Sequence, residues 1–234
     1  MGARSPDLGS KDGRLGARTP FALSIEPVLQ SIPTLIDYER ALKLWAGRPL
    51  RGGQNRIQAA VCVPIREGET GLEAWCIKRP DHLRHHAREI AFPGGKPEPE
   101  DQTLADAAIR ETEEELGIPR ERLRLLGSLT PVPTATSRFT LNPFAAAVGP
   151  DVLPEPAKDE VAELIEVSFE GFFAGAIPYS AVDVGAYLSP IFDFQPGAMY
   201  GATAHVLQEA LEIYAAAAGR EMPRPRLTTA IPWA

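Results

Sequence analysis

The sequence predicts a mixed α/β sandwich, in which helices pack against a β-sheet. Strand-like segments both precede and follow two segments with helical periodicity, which is the order typical of this class. Of the 234 residues, 44% are hydrophobic and 24% are charged, an ordinary balance for a globular chain with a buried core. The 20 glycines and 23 prolines indicate that many loops join these elements.

The first half of the predicted order is one helix followed by two strands. The helix begins at Thr34, because Asp37 completes a capping pair three residues later. Residues 57–65 and 72–78 are predicted strands, since both are short apolar runs separated by a glycine-containing turn. A long loop over residues 79–101 follows them.

The second half is organised around two longer helices. Apolar periodicity predicts one helix over residues 103–116, ended by Gly117, and another over residues 203–217. Phe172 and Phe173 mark a short helix between two strands. The predicted strands of this half are residues 123–129, 139–148, 161–167 and 187–194.

Both ends of the chain are predicted to lie outside the folded domain. Residues 1–27 contain Gly, Ser, Arg and Pro without an apolar run, which indicates a disordered leader rather than a secretory signal. Residues 28–218 contain all the predicted elements and form the domain. Residues 219–234 are rich in proline, and we expect a loose C-terminal tail.

Charge and cysteine content restrict the classes of partner. The net charge of −7 and the pI of about 5.2 argue against a nucleic-acid or membrane-surface partner, because either would require a basic face. Cys62 and Cys76 lie in adjacent apolar segments, so we expect buried free thiols in a cytoplasmic protein. The sequence leaves the oligomeric state open, a homodimer included.

The predicted helix over residues 103–116 carries the candidate chemistry. Glu111, Glu114 and Glu115 have the spacing i, i+3, i+4 and therefore gather on one side of it. Each close pair of carboxylates repels by roughly 0.2–0.5 kcal/mol, and a hard cation such as Mg²⁺ or Mn²⁺ would reverse that penalty. The alternative is a solvated acidic face. The opposite stripe, expected to face the core, consists of Ala105, Ile109, Thr112 and Leu116.

A longer motif surrounds these glutamates. Residues 110–118 read RETEEELGI, and Gly95 and Asp101 precede them. This pattern resembles the box of the Nudix hydrolase family. Three departures are present: Asp101 replaces a glutamate, eight rather than seven residues separate it from Arg110, and Thr112 occupies an aliphatic position.

The segment before the box resembles one branch of that family, the coenzyme A pyrophosphatases. Arg79, Arg84 and the run IAFPGG over residues 90–95 carry this likeness, and Arg88 stands where the branch usually has glycine. Residues 140–144, 159–163 and 199–204 are also similar to that branch, so the resemblance covers residues 57–214 approximately.

The resemblance implies a Nudix α/β/α sandwich with a mixed β-sheet and a metal-dependent active site. Glu111, Glu114 and Glu115 would bind Mg²⁺ or Mn²⁺, and Arg110 would position a glutamate of the helix. A bound divalent ion lowers the pKa of a water that attacks phosphorus. The general base would be a box glutamate or Glu160. On this interpretation Arg110, Glu111, Glu114 and Glu160 are the catalytic residues.

Asp101 and the histidines of the loop have more than one interpretation. Asp101 caps the helix N-terminus or contributes to the metal site, and we favour the cap. His82, His85 and His86 invite a zinc site, although no further set of ligands supports it.

The loop before the box is the candidate substrate site. Its basic residues would receive substrate phosphates or else form a solvated surface, and a Gly-Gly pair lets backbone approach a metal or phosphate closely. The resemblance implies cleavage of the diphosphate of coenzyme A to 4′-phosphopantetheine and adenosine 3′,5′-bisphosphate. ADP-ribose, another nucleoside diphosphate derivative, or a non-catalytic nucleotide-binding role are the alternatives. The candidate substrate-binding residues are Arg79, Arg84, His86, Arg88, Gly94 and Gly95.

Overall fold

The computed structural model of the protein describes residues 1–2, 31–47, 55–82, 86–135 and 137–232. Nearly all of the predicted leader lies outside these ranges, and so do Arg84 and His85. No helix within these ranges is long and apolar enough to cross a membrane.

The described chain has strands before, between and after its longer helices, as the sequence predicts. Its helices are α1 (Leu35–Leu44), α2 (Leu104–Leu116), the 3₁₀ helix Arg120–Arg122, α3 (Phe169–Phe173) and α4 (Gly201–Ala217). The strands of the first half are β1 (Ile57–Gly68), β2 (Gly71–Lys78), β3 (Ile90–Ala91), β4 (Gly94–Gly95), β5 (Leu123–Ser128) and β6 (Val132–Pro133). Those of the second half are β7 (Phe139–Val148), β8 (Glu163–Ser168), β9 (Tyr179–Asp183), β10 (Leu188–Phe194), β11 (Gly197–Met199) and β12 (Arg226–Leu227).

A mixed sheet forms the centre of the molecule. β1 and β7 are parallel, with Ile57 opposite Phe139 and Ile65 opposite Ala147, whereas β2 and β5 flank them in the antiparallel sense. The strand order is β3-β2-β1-β7-β5, and β4, β6 and β8 pair with β1, β7 and β2 respectively. A second sheet has the order β11-β10-β9-β12. The mixed sheet confirms the predicted class.

The alternation of side chains along β1 divides the interior into two cores. Val61, Val63 and Ile65 pack with residues of α1, α3 and α4, whereas Ala60 and Cys62 pack with residues of α2, because successive side chains of a strand point to opposite faces. Helices therefore cover both faces, which gives the predicted α/β/α layers. Both cysteines are fully buried and free, as predicted.

The N-terminus of α2 corrects the predicted role of Asp101. Thr103 is the N-cap: its hydroxyl accepts a hydrogen bond from the Asp106 backbone N–H at 3.1 Å, and Asp106 accepts one from the Thr103 N–H at 2.8 Å. This is a capping box, and Gly117 ends the helix in the left-handed conformation at φ +65°. Asp101 lies two residues before the cap, where its carboxylate accepts hydrogen bonds from the Glu98 N–H at 2.7 Å and from Arg110 at 3.1 Å.

Several short elements were not predicted: β3 and β4 lie within the predicted loop over residues 79–101, and β6 and the 3₁₀ helix lie between predicted elements. β9 and β11 were not predicted, because both are short and follow segments rich in Gly and Pro. The predicted loose tail is partly docked: Arg226 and Leu227 pair in parallel with β9, and the Arg220 guanidinium lies 3.9 Å from the Phe173 ring centre. The start of the tail is thus held by the ring of Phe173, which lies far from it in the sequence, and by the ring of Tyr214, although its composition favours a loop.

Candidate active site

The glutamates of α2 lie at three different depths. The exposed fraction of the side chain is 4% for Glu115, 16% for Glu111 and 52% for Glu114. The predicted inner stripe is wrong in part, because Ala107, Ala108 and Glu115 are buried together with Thr112 and Leu116, whereas Ala105 and Ile109 are only partly buried. The inner face is therefore rotated towards Glu115.

A two-residue strand brings backbone against the buried glutamate. β4 pairs with β1 through Gly94 and Gly95, and the Gly94 N–H donates a hydrogen bond to Glu115 Oε2 at 3.0 Å. A Cβ atom on Gly95 would lie 2.2 Å from Glu111 Oε1, and one on Gly94 would lie 2.3 Å from the Ala60 carbonyl oxygen. Position 94 requires glycine because a side chain there would meet backbone, whereas a side chain at position 95 would displace the Glu111 carboxylate. The close approach agrees with the sequence analysis, although the segment is a strand and not a turn.

Arg110 connects Glu111 and Glu114 to the loop before the helix. Its Nη1 lies 3.0 Å from Glu111 Oε1 and 2.9 Å from Glu114 Oε2. Its Nη2 donates to Asp101 Oδ2 at 3.1 Å and to the Lys96 carbonyl oxygen at 3.1 Å. Hydrogen bonding to Arg110 holds the pKa of Asp101 below its ordinary value. Asp101 therefore anchors Arg110, which in turn fixes two of the candidate catalytic carboxylates.

The inner carboxylates are poor in compensating charge. Burial raises the pKa of Glu115 to about 8, against the opposing effects of the Gly94 N–H and the Arg79 charge. Burial also raises the pKa of Glu111, against the opposing effect of Arg110. The charge of Glu160 contributes to both shifts. A cation at this position would relieve the cost of these buried negative charges.

Glu160 reaches the site through the segment after β7, which packs against the C-terminal end of α2. The Glu155 and Ala157 N–H groups donate to the carbonyl oxygens of Leu116 and Glu115, at 2.8 and 3.0 Å. The turn that follows carries Glu160, which is exposed. The structure thus brings Glu160 close enough to influence the helix glutamates electrostatically, as its candidate role requires.

The basic loop is closed at its base by backbone hydrogen bonds. The Arg79 N–H donates to the Glu89 carbonyl oxygen at 3.0 Å, and the Arg88 N–H donates to the Arg79 carbonyl oxygen at 3.1 Å. His86 and Arg88 have positive φ angles of +56° and +62°. A glycine would adopt this backbone without strain, so Arg88 holds a conformation that favours glycine.

The loop side chains have unequal relations to the site. The Arg79 guanidinium faces Glu115, with Nη1 3.5 Å from Oε1. His86 Nδ1 lies 2.9 Å from Glu89 Oε2, and the exposed Arg88 side chain makes no ion pair with a described residue. Arg84 lies outside the described ranges. The expected phosphate-binding cations therefore do not form one cluster: Arg79 faces the buried Glu115, whereas Arg88 lies on the loop surface.

The donor set fits a hard divalent cation in chemistry and in charge. Carboxylate oxygens are the ligands that Mg²⁺ and Mn²⁺ prefer, and Glu111 and Glu115 lie against β4 with raised pKa values. Within the described ranges, no three His, Cys, Asp or Glu side chains are close enough together to hold a metal ion. Glu114 instead contacts Arg110. The site therefore has two carboxylates held against β4, Glu111 and Glu115, and a third, Glu114, that is paired with Arg110.

Comparison with known proteins gives the family. The profile of the NUDIX domain matches residues 56–178, more than half of the chain. This chain belongs to the Nudix family. It is 37% identical over 147 residues to an uncharacterized Nudix hydrolase NudL of Yersinia enterocolitica, covering 62% of this chain and 73% of the relative. It is 38% identical over 134 residues to NudL of Klebsiella pneumoniae, covering 57% and 68%.

Solved Nudix structures are similar at a lower level. One is a Nudix hydrolase of M. smegmatis, RenU, with 22% identity and a TM-score of 0.42 over 51% of this chain and 74% of that one. The sequence matches make this protein a Nudix hydrolase that acts on phosphoanhydride bonds of nucleoside diphosphate derivatives. Hydrolases of the family use divalent metal ions. The non-catalytic alternative is not supported.

Two contacts of this Nudix site were not predicted from the sequence. The first is the hydrogen bond between Arg110 and Asp101, nine residues earlier. The only sequence signal for it was that Asp101 occupies the first acidic position of the box. The second is the contact of Arg79 with Glu115. No local pattern indicates it, because the two residues lie on different elements.

Proposed function

We propose that this Nudix hydrolase cleaves the diphosphate linkage of coenzyme A or its derivatives, with Mg²⁺ or Mn²⁺ as the cofactor. The products would be 4′-phosphopantetheine and adenosine 3′,5′-bisphosphate. The observation that supports this substrate is the closed loop over residues 79–89, which leads through β3 directly into β4. The segment that resembles the coenzyme A branch is thereby joined to the backbone that contacts Glu115 and Glu111.

The residues would share the reaction as follows. Glu111, Glu114 and Glu115 would hold the divalent ion, and Glu114, which contacts Arg110 in this structure, would be the most exposed of the three. When bound, the ion neutralises diphosphate charge and lowers the pKa of an attacking water. The water oxygen forms a bond to phosphorus, the bridging P–O bond breaks, and the proton of the water passes to Glu160 or to a helix glutamate. Arg110, anchored by Asp101, would orient Glu111.

The substrate-binding residues would surround the diphosphate from the loop side. Charge-assisted hydrogen bonds from guanidinium groups suit phosphate oxygens, so Arg84 and Arg88 would bind the phosphates there, with His86 as a further hydrogen-bonding side chain. Gly94 and Gly95 permit close approach of the backbone. The acidic net charge supports a small-molecule substrate and neither a nucleic-acid nor a membrane partner, and the free buried thiols support a cytoplasmic location. We propose residues 28–218 as the catalytic domain.

ADP-ribose is the second candidate substrate, and Arg88 is the observation that favours it. An arginine at φ +62° replaces the glycine that is usual in the coenzyme A branch, so its side chain could obstruct the larger substrate. The opposing view is that Arg88 contacts the additional 3′-phosphate of coenzyme A, a contact worth roughly 1.5–3 kcal/mol.

A substrate panel tests this proposal. The ratio kcat/KM is measured for coenzyme A, 3′-dephospho-coenzyme A and ADP-ribose, with the wild type, Arg88→Gly and Arg88→Ala. We expect coenzyme A to be the best substrate, and its lead over the dephospho form to shrink in both variants. Arg88→Gly alone should also raise the melting temperature, because it relieves a left-handed backbone strain of about 1–2 kcal/mol. A tenfold or greater preference for ADP-ribose contradicts the coenzyme A assignment, and faster coenzyme A turnover by both variants supports obstruction by Arg88.

A further inference from the structure

Arg79 differs from the other cations of the loop in what it contacts. Its Nη1 lies 3.5 Å from Glu115 Oε1, and the two side chains are 28% and 4% exposed. The other oxygen of the same carboxylate accepts the Gly94 N–H at 3.0 Å. Glu115 is therefore held from two sides, by the backbone of β4 and by a charge at the end of β2.

The backbone of Arg79 is fixed by the closure of the loop. Arg79 both donates to the Glu89 carbonyl and accepts from the Arg88 N–H. The preceding residue, Lys78, accepts a hydrogen bond from the Ala162 N–H at 2.8 Å. A rigid base thus determines where the guanidinium group lies.

The guanidinium group is badly placed for binding a substrate phosphate. Its Nε is buried and has no hydrogen-bond partner among the described residues. An arginine that grips a phosphate by two parallel hydrogen bonds needs two accessible N–H groups on one edge. The edge formed by Nε and Nη2 cannot bind a ligand in this way, because Nε is buried. On the other edge, Nη1 is directed at Glu115.

We propose that Arg79 is a positioning residue that holds Glu115 against Gly94 and does not bind substrate phosphate. This inference rests on the proposed role of Glu115 as a metal ligand. Without Arg79 the carboxylate keeps one hydrogen bond, from Gly94, and faces the charges of Glu111 and Glu160 unopposed. It would then turn away from the position that the site requires.

Kinetics of Arg79→Met and of a matched control provide the first test. Methionine keeps the length of the side chain and removes its charge. Arg120→Met is the control, because Arg120 pairs with Glu113 of the same helix at the same 3.5 Å, with both side chains exposed. With the best nucleoside diphosphate substrate of the wild type, we expect Arg79→Met to lower kcat by about tenfold or more, as expected when a catalytic carboxylate is misplaced. KM should change by less than about threefold, and the control should change neither constant.

A double-mutant cycle in EDTA provides a readout without turnover. Unfolding equilibria are measured for Arg79→Met, Glu115→Gln and the double variant. We expect the equilibrium constant of the double variant to depart from the product of the single effects by about fivefold or more. The same cycle on the exposed pair Arg120 and Glu113 is the control. Its double variant should depart from the product of the single effects by less than about fivefold, and by less than in the first cycle.

The outcomes separate the two proposals. A rise in KM of tenfold or more with kcat unchanged, or a cycle without coupling, overturns the positioning role of Arg79 while Glu115→Gln remains inactive. A fully active Glu115→Gln variant instead overturns the metal role of Glu115, and the inference on Arg79 with it. If Arg79→Met does not fold, Arg79→Lys decides between the same outcomes: it keeps a charge near Glu115 and so should fold, but it lacks the planar guanidinium group, so it should lower kcat and leave KM within about threefold.

Discussion

Three glutamates of one helix turn show how far residue spacing predicts a site. Glu111, Glu114 and Glu115 lie on the same side by their spacing, yet one is buried, one is half-buried and one is exposed. The difference comes from their partners. Glu115 packs beneath β4, Glu111 lies against Gly95, and Glu114 extends to Arg110.

Glu114 is the residue at which the metal assignment is most easily tested. Glu114→Gln keeps the size of the side chain and removes a charged oxygen ligand, so activity should fall by about 100-fold or more, consistent with the several kcal/mol that a catalytic metal supplies. Folding should survive, because Glu114 is half exposed, its ion pair with Arg110 contributes about 1 kcal/mol, and carboxylate repulsion is relieved. Glu113→Gln, one position earlier, is the matched control and should retain activity. Full metal-dependent turnover by Glu114→Gln would contradict the assignment.

At the scale of an element, α2 separates helix stability from catalytic placement. Thr103 and Asp106 cap the helix, whereas Asp101 binds Arg110 on the side of the site. Asp101 and Asp106 lie five positions apart. The sequence analysis favoured Asp101 as the cap, whereas Asp106 completes the capping box with Thr103. Since each has its own partner, their substitutions should have separable effects.

Two substitutions test this separation of roles. Thr103→Ala removes the cap hydroxyl and should lower the free energy of unfolding by about 1 kcal/mol, with kcat nearly unchanged. Asp101→Asn weakens the anchor of Arg110, so kcat should fall while the cap remains intact. Chemical denaturation and steady-state kinetics of both variants provide the comparison. Equal loss of stability with no loss of kcat in Asp101→Asn would return the cap to Asp101.

At the scale of the whole molecule, α4 closes the larger of the two cores. Its buried residues pack with α1, α3 and the face of β1 that carries Val61 and Val63. His205 lies on this helix, beside a cavity of about 330 Å³, and burial lowers its pKa to about 4 from an ordinary value of 6.5. Its Nε2 is buried without a hydrogen-bond partner among described residues.

This buried histidine predicts a dependence of stability on pH. Below about pH 6.5 the unfolded chain binds a proton at His205 that the folded chain does not. The contribution of His205 to stability is therefore fully present above pH 6.5 and is lost as pH falls towards 4. Unfolding free energies of the wild type and His205→Gln should run parallel above pH 7, and the wild type should lose more than the variant between pH 6.5 and 4. Parallel curves over the whole range would show that His205 titrates as it does in the unfolded chain.

The sequence by itself determined the helices, the main strands and the helix that carries the candidate catalytic residues. The predicted strand over residues 139–148 coincides with β7, and the helix predicted over residues 103–116 is α2 with its N-cap. Caps, glycine stops and apolar periodicity act over a few residues, so these features can be recognised locally. The chemistry of Glu111, Glu114, Glu115 and Arg110 is local in the same sense, and it indicated the Nudix family correctly.

Only the tertiary structure decided the depth of Glu115, the partner of Arg79 and the backbone of Arg88. Gly94 and Glu115 are 21 positions apart, and Arg79 meets Glu115 across two different elements. The positive φ of Arg88 follows from closing the loop between Arg79 and Glu89. Burial and charge pairing depend on every segment that converges on a point in space, and a pattern along the chain does not record which segments those are.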